Sequence, residues 1–77
     1  MTNAKDKRRL RKVAAHRVVV GEEAIAMAVV DIADGCVVGW RKLEGEEAYT
    51  EWLGGDIRIT CEADGTLRAY HGGIPLK

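Results

Sequence analysis

The sequence contains no phenylalanine, and aromatic residues make up only 5% of its 77 residues. Four rings, those of Trp40, Tyr49, Trp52 and Tyr70, must therefore supply most of the bulky packing. No apolar run approaches the roughly 18 residues that a membrane-spanning helix needs. The first residues also lack the apolar segment and the cleavage site of a secretion signal. We therefore expect a cytoplasmic protein that makes no membrane contact.

Short length and the absence of a catalytic pattern argue against an enzyme. A chain of 77 residues can form one domain with a modest core, because short chains bury a smaller fraction of their surface. Glu46, Glu47 and Glu51 could serve as acid and base, but no nucleophile or metal-ligand pair lies near them. The exposed face of a short helix explains these carboxylates better. We expect no catalytic activity and no cofactor.

The two cysteines are too few and too far apart for a disulfide framework. Cys36 and Cys61 fall on separate predicted strands, which favours free buried thiols over a cross-strand disulfide. Together with His16 and His71 they could form a four-ligand zinc set. Structural zinc sites, however, contain ligand pairs only a few residues apart, and no two of these candidates are close in sequence. We therefore predict no metal site.

Charge is distributed unevenly along the chain. The formal net charge is zero, but the first twelve residues hold six basic residues and one acidic residue, for a net charge of +5. The remaining residues carry −5. Residues 1–12 are predicted to be a disordered basic arm whose last residues could extend the first strand. Clustered cations can contact phosphates, so weak nucleic-acid binding through the arm is one candidate function. The basic residues are Lys5, Lys7, Arg8, Arg9, Arg11 and Lys12.

Alternating apolar residues and two acidic-glycine pairs predict a β domain over residues 13–71. Asp34-Gly35 and Asp64-Gly65 are typical of hairpin turns, because both turn positions tolerate positive φ. The alanines in 24–28 could form a helix, but 29–32 lead directly into the first hairpin turn, which favours a strand. Five strands are predicted, over residues 13–20, 24–33, 36–43, 57–62 and 67–71.

A different spacing appears between the third and fourth of these strands. Ala48 and Trp52 lie four apart, as do Tyr49 and Leu53, which predicts a short helix near 46–53. The predicted fold class is mainly β, a five-stranded antiparallel meander curled into a partial barrel or packed on this helix. Trp52 is predicted to plug the barrel. Residues 72–77, which include Pro75, are predicted to be an irregular tail.

An open meander leaves unpaired backbone at its first and last strands, where another chain can pair. Val18, Val19 and Val20 carry no charge to protect the first strand, and Trp40 is a further candidate for a partner contact. The function expected is therefore a small non-enzymatic binding or self-assembly module. Its partner would be a second copy of the chain or another protein, held through an edge strand.

Several segments together resemble a family of short uncharacterised bacterial proteins, with a likeness that covers residues 13–60. An Ala-His-Arg strand opens the domain at 15–17, and a Thr-x-Trp-Leu-Gly-Gly segment closes it at 50–55. The resemblance implies a stand-alone β domain and no particular chemistry. The strand order around an acidic-glycine turn is also similar to the small β domain of amidohydrolases, although the metal-binding His-x-His of those enzymes has no counterpart here.

Overall fold

The computed structural model describes residues 10–45 and 49–77, and in this part of the chain the fold is mainly β. No helix in the described part is long and apolar enough to cross a membrane. Seven strands are found there. They are β1 (Leu10–Val20), β2 (Glu23–Ala33), β3 (Cys36–Lys42), β4 (Thr50–Trp52), β5 (Asp56–Cys61), β6 (Leu67–His71) and β7 (Ile74–Pro75).

The strands form one mixed sheet rather than a meander. Its order is β3-β2-β1-β5-β6-β7, and β4 pairs with β1 beside β5. β1 and β2 are antiparallel, whereas β4 and β5 both run parallel to β1. The predicted five-stranded antiparallel meander is therefore wrong in strand number and in topology. The reason lies in β1, where three consecutive residues, Val13, Ala14 and Ala15, are buried, as is typical of a central strand covered on both faces.

Both predicted hairpin turns are present. At the β2–β3 turn Asp34 and Gly35 have φ values of 54° and 79°, which is the two-residue turn that the acidic-glycine pair favours. At the β5–β6 turn the Asp64 side chain accepts hydrogen bonds from the backbone N–H and the hydroxyl of Thr66, at 3.0 and 2.7 Å. These bonds lower the pKa of Asp64. Residues 24–32 lie in β2, so the strand prediction there is confirmed.

One face of the curved sheet holds the core, which is built from aliphatic side chains. The sheet bends until β3 approaches β6, and Arg68 Nη1 donates a hydrogen bond of 3.1 Å to the Gly35 carbonyl across this gap. The sheet does not close, because β3 and β6 are not paired. The buried core residues are Val13, Ala15, Val18, Ala28, Val30, Ile32, Val37, Ile57, Ile59 and Ala69.

The predicted helix and its tryptophan plug are both wrong over the described residues. Tyr49 lies in a turn and Thr50–Trp52 form β4, while residues 46–48 lie outside the described part. Trp52 is 50% exposed, and Leu53 packs against the core instead. A short segment gains little from forming a helix alone, so pairing with the central strand determines its conformation.

The first and the last described segments of the chain both contain strand. Leu10 to Lys12 belong to β1, so the strand extends into the segment predicted as an arm; residues 1–9 lie outside the described part. The prediction of an irregular tail is wrong at Ile74–Pro75, which pair with β6 after a turn at Gly72 and Gly73. Proline is compatible with this position because β7 lies at the end of the sheet, where it need not donate to a further strand.

Candidate functional site

An irregularity between β4 and β5 forms the centre of the candidate site. Residues 12–14 of β1 pair with 50–52, and residues 17–20 pair with 56–59, so two residues of β1 face three residues of the other chain segment. We call residues 53–55 the glycine bulge. Gly54 and Gly55 have φ values of 74° and 61°, a region that side chains larger than glycine disfavour.

Two histidines hold the peptide group at the centre of the glycine bulge. His16 Nδ1 accepts a hydrogen bond of 3.0 Å from the Gly55 N–H. His71 Nε2 lies 3.0 Å from the Gly54 carbonyl oxygen, to which it donates because a carbonyl can only accept. These two backbone groups belong to the same peptide bond. We call His16, His71 and this peptide group the histidine clamp.

The hydrogen-bond directions fix the protonation of each ring while the clamp is formed. His16 must carry no proton on Nδ1, since this atom is the acceptor, so its single proton lies on Nε2. His71 must carry a proton on Nε2. One ring is thus used as an acceptor and the other as a donor, and the two cannot exchange roles. The clamp orders the bulge between β1 and β6.

Trp52 stands beside the clamp on the outer face of the sheet, opposite the core. It pairs in register with Ala14, whose neighbours Val13 and Ala15 belong to the core on the other face. The His16 and Trp52 rings meet edge to face, with centroids 4.9 Å apart and an angle of 78° between their planes. A half-exposed indole is therefore held in a defined position.

On the outer face, next to Trp52, strands β1 and β2 contribute buried apolar residues and charged residues that form ion pairs. Val29, which pairs with Ala14, is fully buried although it lies outside the main core. Arg17 bonds Asp56 at 2.6 Å, and this contact raises the pKa of Arg17. Arg41 bonds Asp31 at 2.8 Å. Exposed pairs of this kind contribute little to stability, so they define a polar border more than they stabilise the fold.

The clamp joins two side chains to one backbone peptide group. Each histidine has one ring nitrogen committed to the backbone, and no nucleophile contacts either ring in the hydrogen bonds described. The four ligands considered for zinc are not brought together as a set: Cys36 lies in β3 and Cys61 in β5, and both are free thiols. Within residues 10–45 and 49–77, no group of three or more metal-ligating side chains is found.

The partner contacts predicted on β1 rest on an incorrect position in the sheet. Val18, Val19 and Val20 lie between β2 and β5, so the premise that they form an exposed edge is wrong. Trp40 does lie in a terminal strand of the sheet, β3, but its ring packs partly against the core. The β2–β3 pairing is irregular around the exposed Val38, and bulges of this kind protect edges from pairing.

The part of the chain that the structure describes includes only the last residues of the basic arm. Among its six basic residues the structure describes Arg11 and Lys12. Arg11 donates two hydrogen bonds to the Glu51 carboxylate, at 2.9 and 3.0 Å, and a third to the Lys77 carbonyl. The Arg11 contact lowers the pKa of Glu51. Arg11 is thus occupied by a carboxylate, and nucleic-acid contact stays a prediction that rests on Lys12 and on four residues outside the described part, Lys5, Lys7, Arg8 and Arg9.

Comparison with protein-family models, curated proteins and solved structures finds no match to this chain. The likeness to short bacterial β-domain proteins and to the small domain of amidohydrolases therefore stays a prediction.

Proposed function

We propose that this chain is a non-enzymatic, cytoplasmic self-assembly module that contacts a second copy through the outer face of its sheet. The observation that carries the proposal is the position of Trp52, which is half exposed yet fixed against His16. Tryptophan is strongly enriched among residues that dominate binding energy, and a preordered ring loses little conformational entropy on association. We call the surface formed by Trp52, His16 and Met27 the indole patch.

The indole patch has the composition of a small protein interface. Met27 is also exposed and lies in β2 between Ala28 and Ala26, which are the partners of Ala15 and Arg17 on either side of His16. The ion pairs of Arg17 with Asp56 and of Arg41 with Asp31 lie on the same outer face, one towards β5 and the other towards β3. An apolar centre with a charged border is the usual anatomy of an interface.

Charge complementarity favours a second copy over an unrelated partner. Residues 1–12 carry +5 and the rest of the chain carries −5, so two copies attract each other when the arm of one approaches the body of the other. The indole patch supplies the apolar contact, and the charges supply orientation. Edge pairing contributes less, since the β3 edge carries the irregularity at Val38 and the cations Arg41 and Lys42.

Sedimentation equilibrium from micromolar to millimolar concentration tests the proposal. We expect a reversible dimer whose affinity falls at least about tenfold in Trp52→Ala, because central aromatic contacts commonly contribute more than 1.4 kcal/mol. Tyr49→Ala is the matched control: this ring is 95% exposed but lies outside the indole patch. It should leave the affinity unchanged.

Two results would overturn the proposal. A wild-type chain that stays monomeric at millimolar concentration excludes self-assembly. A dimer that is equally stable in Trp52→Ala and in Tyr49→Ala excludes the indole patch as the interface. High salt should weaken the wild-type dimer, because it screens the attraction between exposed charges.

A further inference from the structure

A groove lies at the end of the sheet where β1 begins and β2 turns into β3, away from the indole patch. Its volume is about 810 Å³, within the range of sites that hold small organic molecules. Ile32, which pairs with Arg11 on the core face, lies at its base. The groove therefore has the size of a ligand site.

The groove is more positive than the body that surrounds it. Arg11 and Glu51 line it, but they neutralise each other through two hydrogen bonds. The remaining charged side chains include Lys12 and Arg68 against the carboxylate of Asp34. Cations thus predominate in this groove, although residues 13–77 as a whole carry an excess of acidic groups.

One of these cations is held in place by the fold. Arg68 Nη1 donates to the Gly35 carbonyl, a neutral acceptor, so the hydrogen bond that positions the guanidinium does not itself neutralise it, and the attraction to Asp64 comes from a carboxylate outside the groove lining. A guanidinium positioned in this way can bind a carboxylate or phosphate through its other N–H groups. Burial of the side chain is intermediate, which weakens the competition from water.

Apolar side chains stand at the opening of the same groove. Tyr49 is 95% exposed and has a φ of 58°, a conformation that a bulky residue rarely adopts and that is concentrated at functional sites. Leu10 also lines the groove and is more than half exposed. Cations inside and apolar groups at the opening match a ligand with an anionic end and an apolar or aromatic body.

We propose that this groove binds a small organic anion, with Arg68 and Lys12 contacting its carboxylate or phosphate and Tyr49 covering its apolar part. The probe is phenyl phosphate, followed by amide chemical-shift changes in NMR spectra of the full chain. We expect saturable shifts confined to the groove, at Gly35 and Glu51 among others. Inorganic phosphate should bind at least about tenfold more weakly, because it lacks the apolar contact.

Variants separate the groove from general charge effects. Arg68→Gln should weaken phenyl phosphate binding at least about tenfold, the effect of one lost charge-assisted hydrogen bond. Lys12→Gln, which leaves the Arg68–Gly35 bond intact, should also weaken it. Arg58→Gln is the matched control, because it removes one positive charge from an exposed position that does not line this groove.

The proposal has clear failing outcomes. Absence of localised shifts at millimolar phenyl phosphate overturns it. If Arg58→Gln and Lys12→Gln weaken phenyl phosphate binding equally, the ligand responds only to the net charge of the protein. That result overturns the proposal as well. Equal affinity for inorganic phosphate removes the apolar half of the proposed ligand.

Discussion

Replacement of the two clamp histidines measures how much the histidine clamp contributes to the free energy of unfolding. His71→Ala removes one hydrogen bond to Gly54, which should lower the free energy of unfolding by about 0.5–1.5 kcal/mol. His16→Ala removes the acceptor of the Gly55 N–H and the edge-to-face contact with Trp52. Each of these contributes about 0.5–1.5 kcal/mol, so the combined loss should be about 1–3 kcal/mol.

Isosteric variants assign these losses to particular atoms. Asparagine at position 16 can place its carbonyl oxygen near the Nδ1 position, so His16→Asn should recover the hydrogen-bond part but not the ring contact. Glutamine at position 71 can place its amide nitrogen near Nε2, so His71→Gln should recover most of the loss. The double alanine variant should be non-additive by about 0.5 kcal/mol or more, because both bonds order one peptide group.

Urea unfolding at a concentration that favours the monomer gives the free energies, since self-association would otherwise add to the apparent stability. Amide hydrogen exchange at Gly55 provides a local readout: protection should fall in His16→Ala and be retained in His16→Asn. If Gly55 exchanges equally fast in all variants, and both alanine variants unfold within about 0.3 kcal/mol of wild type, then the clamp does not hold the bulge in solution.

Three further predictions concern the core, a turn and acid stability. Ile57→Ala, at a fully buried site, should cost about 2–5 kcal/mol in urea unfolding; a cost below 1 kcal/mol would contradict the placement of the core. Gly35→Ala should cost about 1–2 kcal/mol, because φ is 79° there and the new methyl group would lie 3.3 Å from Arg68 Nη1, which would have to shift by a few tenths of an ångström. Glu51 has a pKa lowered by Arg11, so its stabilising contribution is present above its unfolded pKa and is lost as pH falls through the folded value. Glu51→Gln should therefore flatten the acid side of the stability profile, and an unchanged profile would mean that the Arg11 contact is absent in solution.

The local elements of this fold follow from sequence, because short-range patterns determine them. The acidic-glycine turn at 34–35 and the alternation at 57–61 predict the β2–β3 hairpin and β5 directly. Trp52 shows where such reasoning fails. Its spacing of four from Ala48 fits a helix, but in the described residues it forms part of β4, because pairing with distant β1 outweighs a weak local preference.

The histidine clamp could not be predicted, since its parts lie far apart in sequence. His16 contacts a residue 39 positions away, and His71 one that is 17 positions away. The sequence does contain one usable signal. Gly54 and Gly55 stand together where a helix cap needs only one glycine, and a second glycine is also typical of a bulge. The central position of β1 was not predicted, because Arg11, Lys12, His16 and Arg17 interrupt its apolar runs and the strand was interpreted as an edge.

The position of β1 has a consequence for the order of events during synthesis. β1 and its hairpin partner β2 are synthesised in immediate succession, but the segment that covers the other side of β1 follows 39 residues later, as the separation of Arg17 from Asp56 shows. Until then the backbone of Val18, Val19 and Val20 is unpaired on that side. The nascent chain thus passes through a stage with an open hydrophobic edge that the finished protein lacks, and aggregation is most probable at that stage.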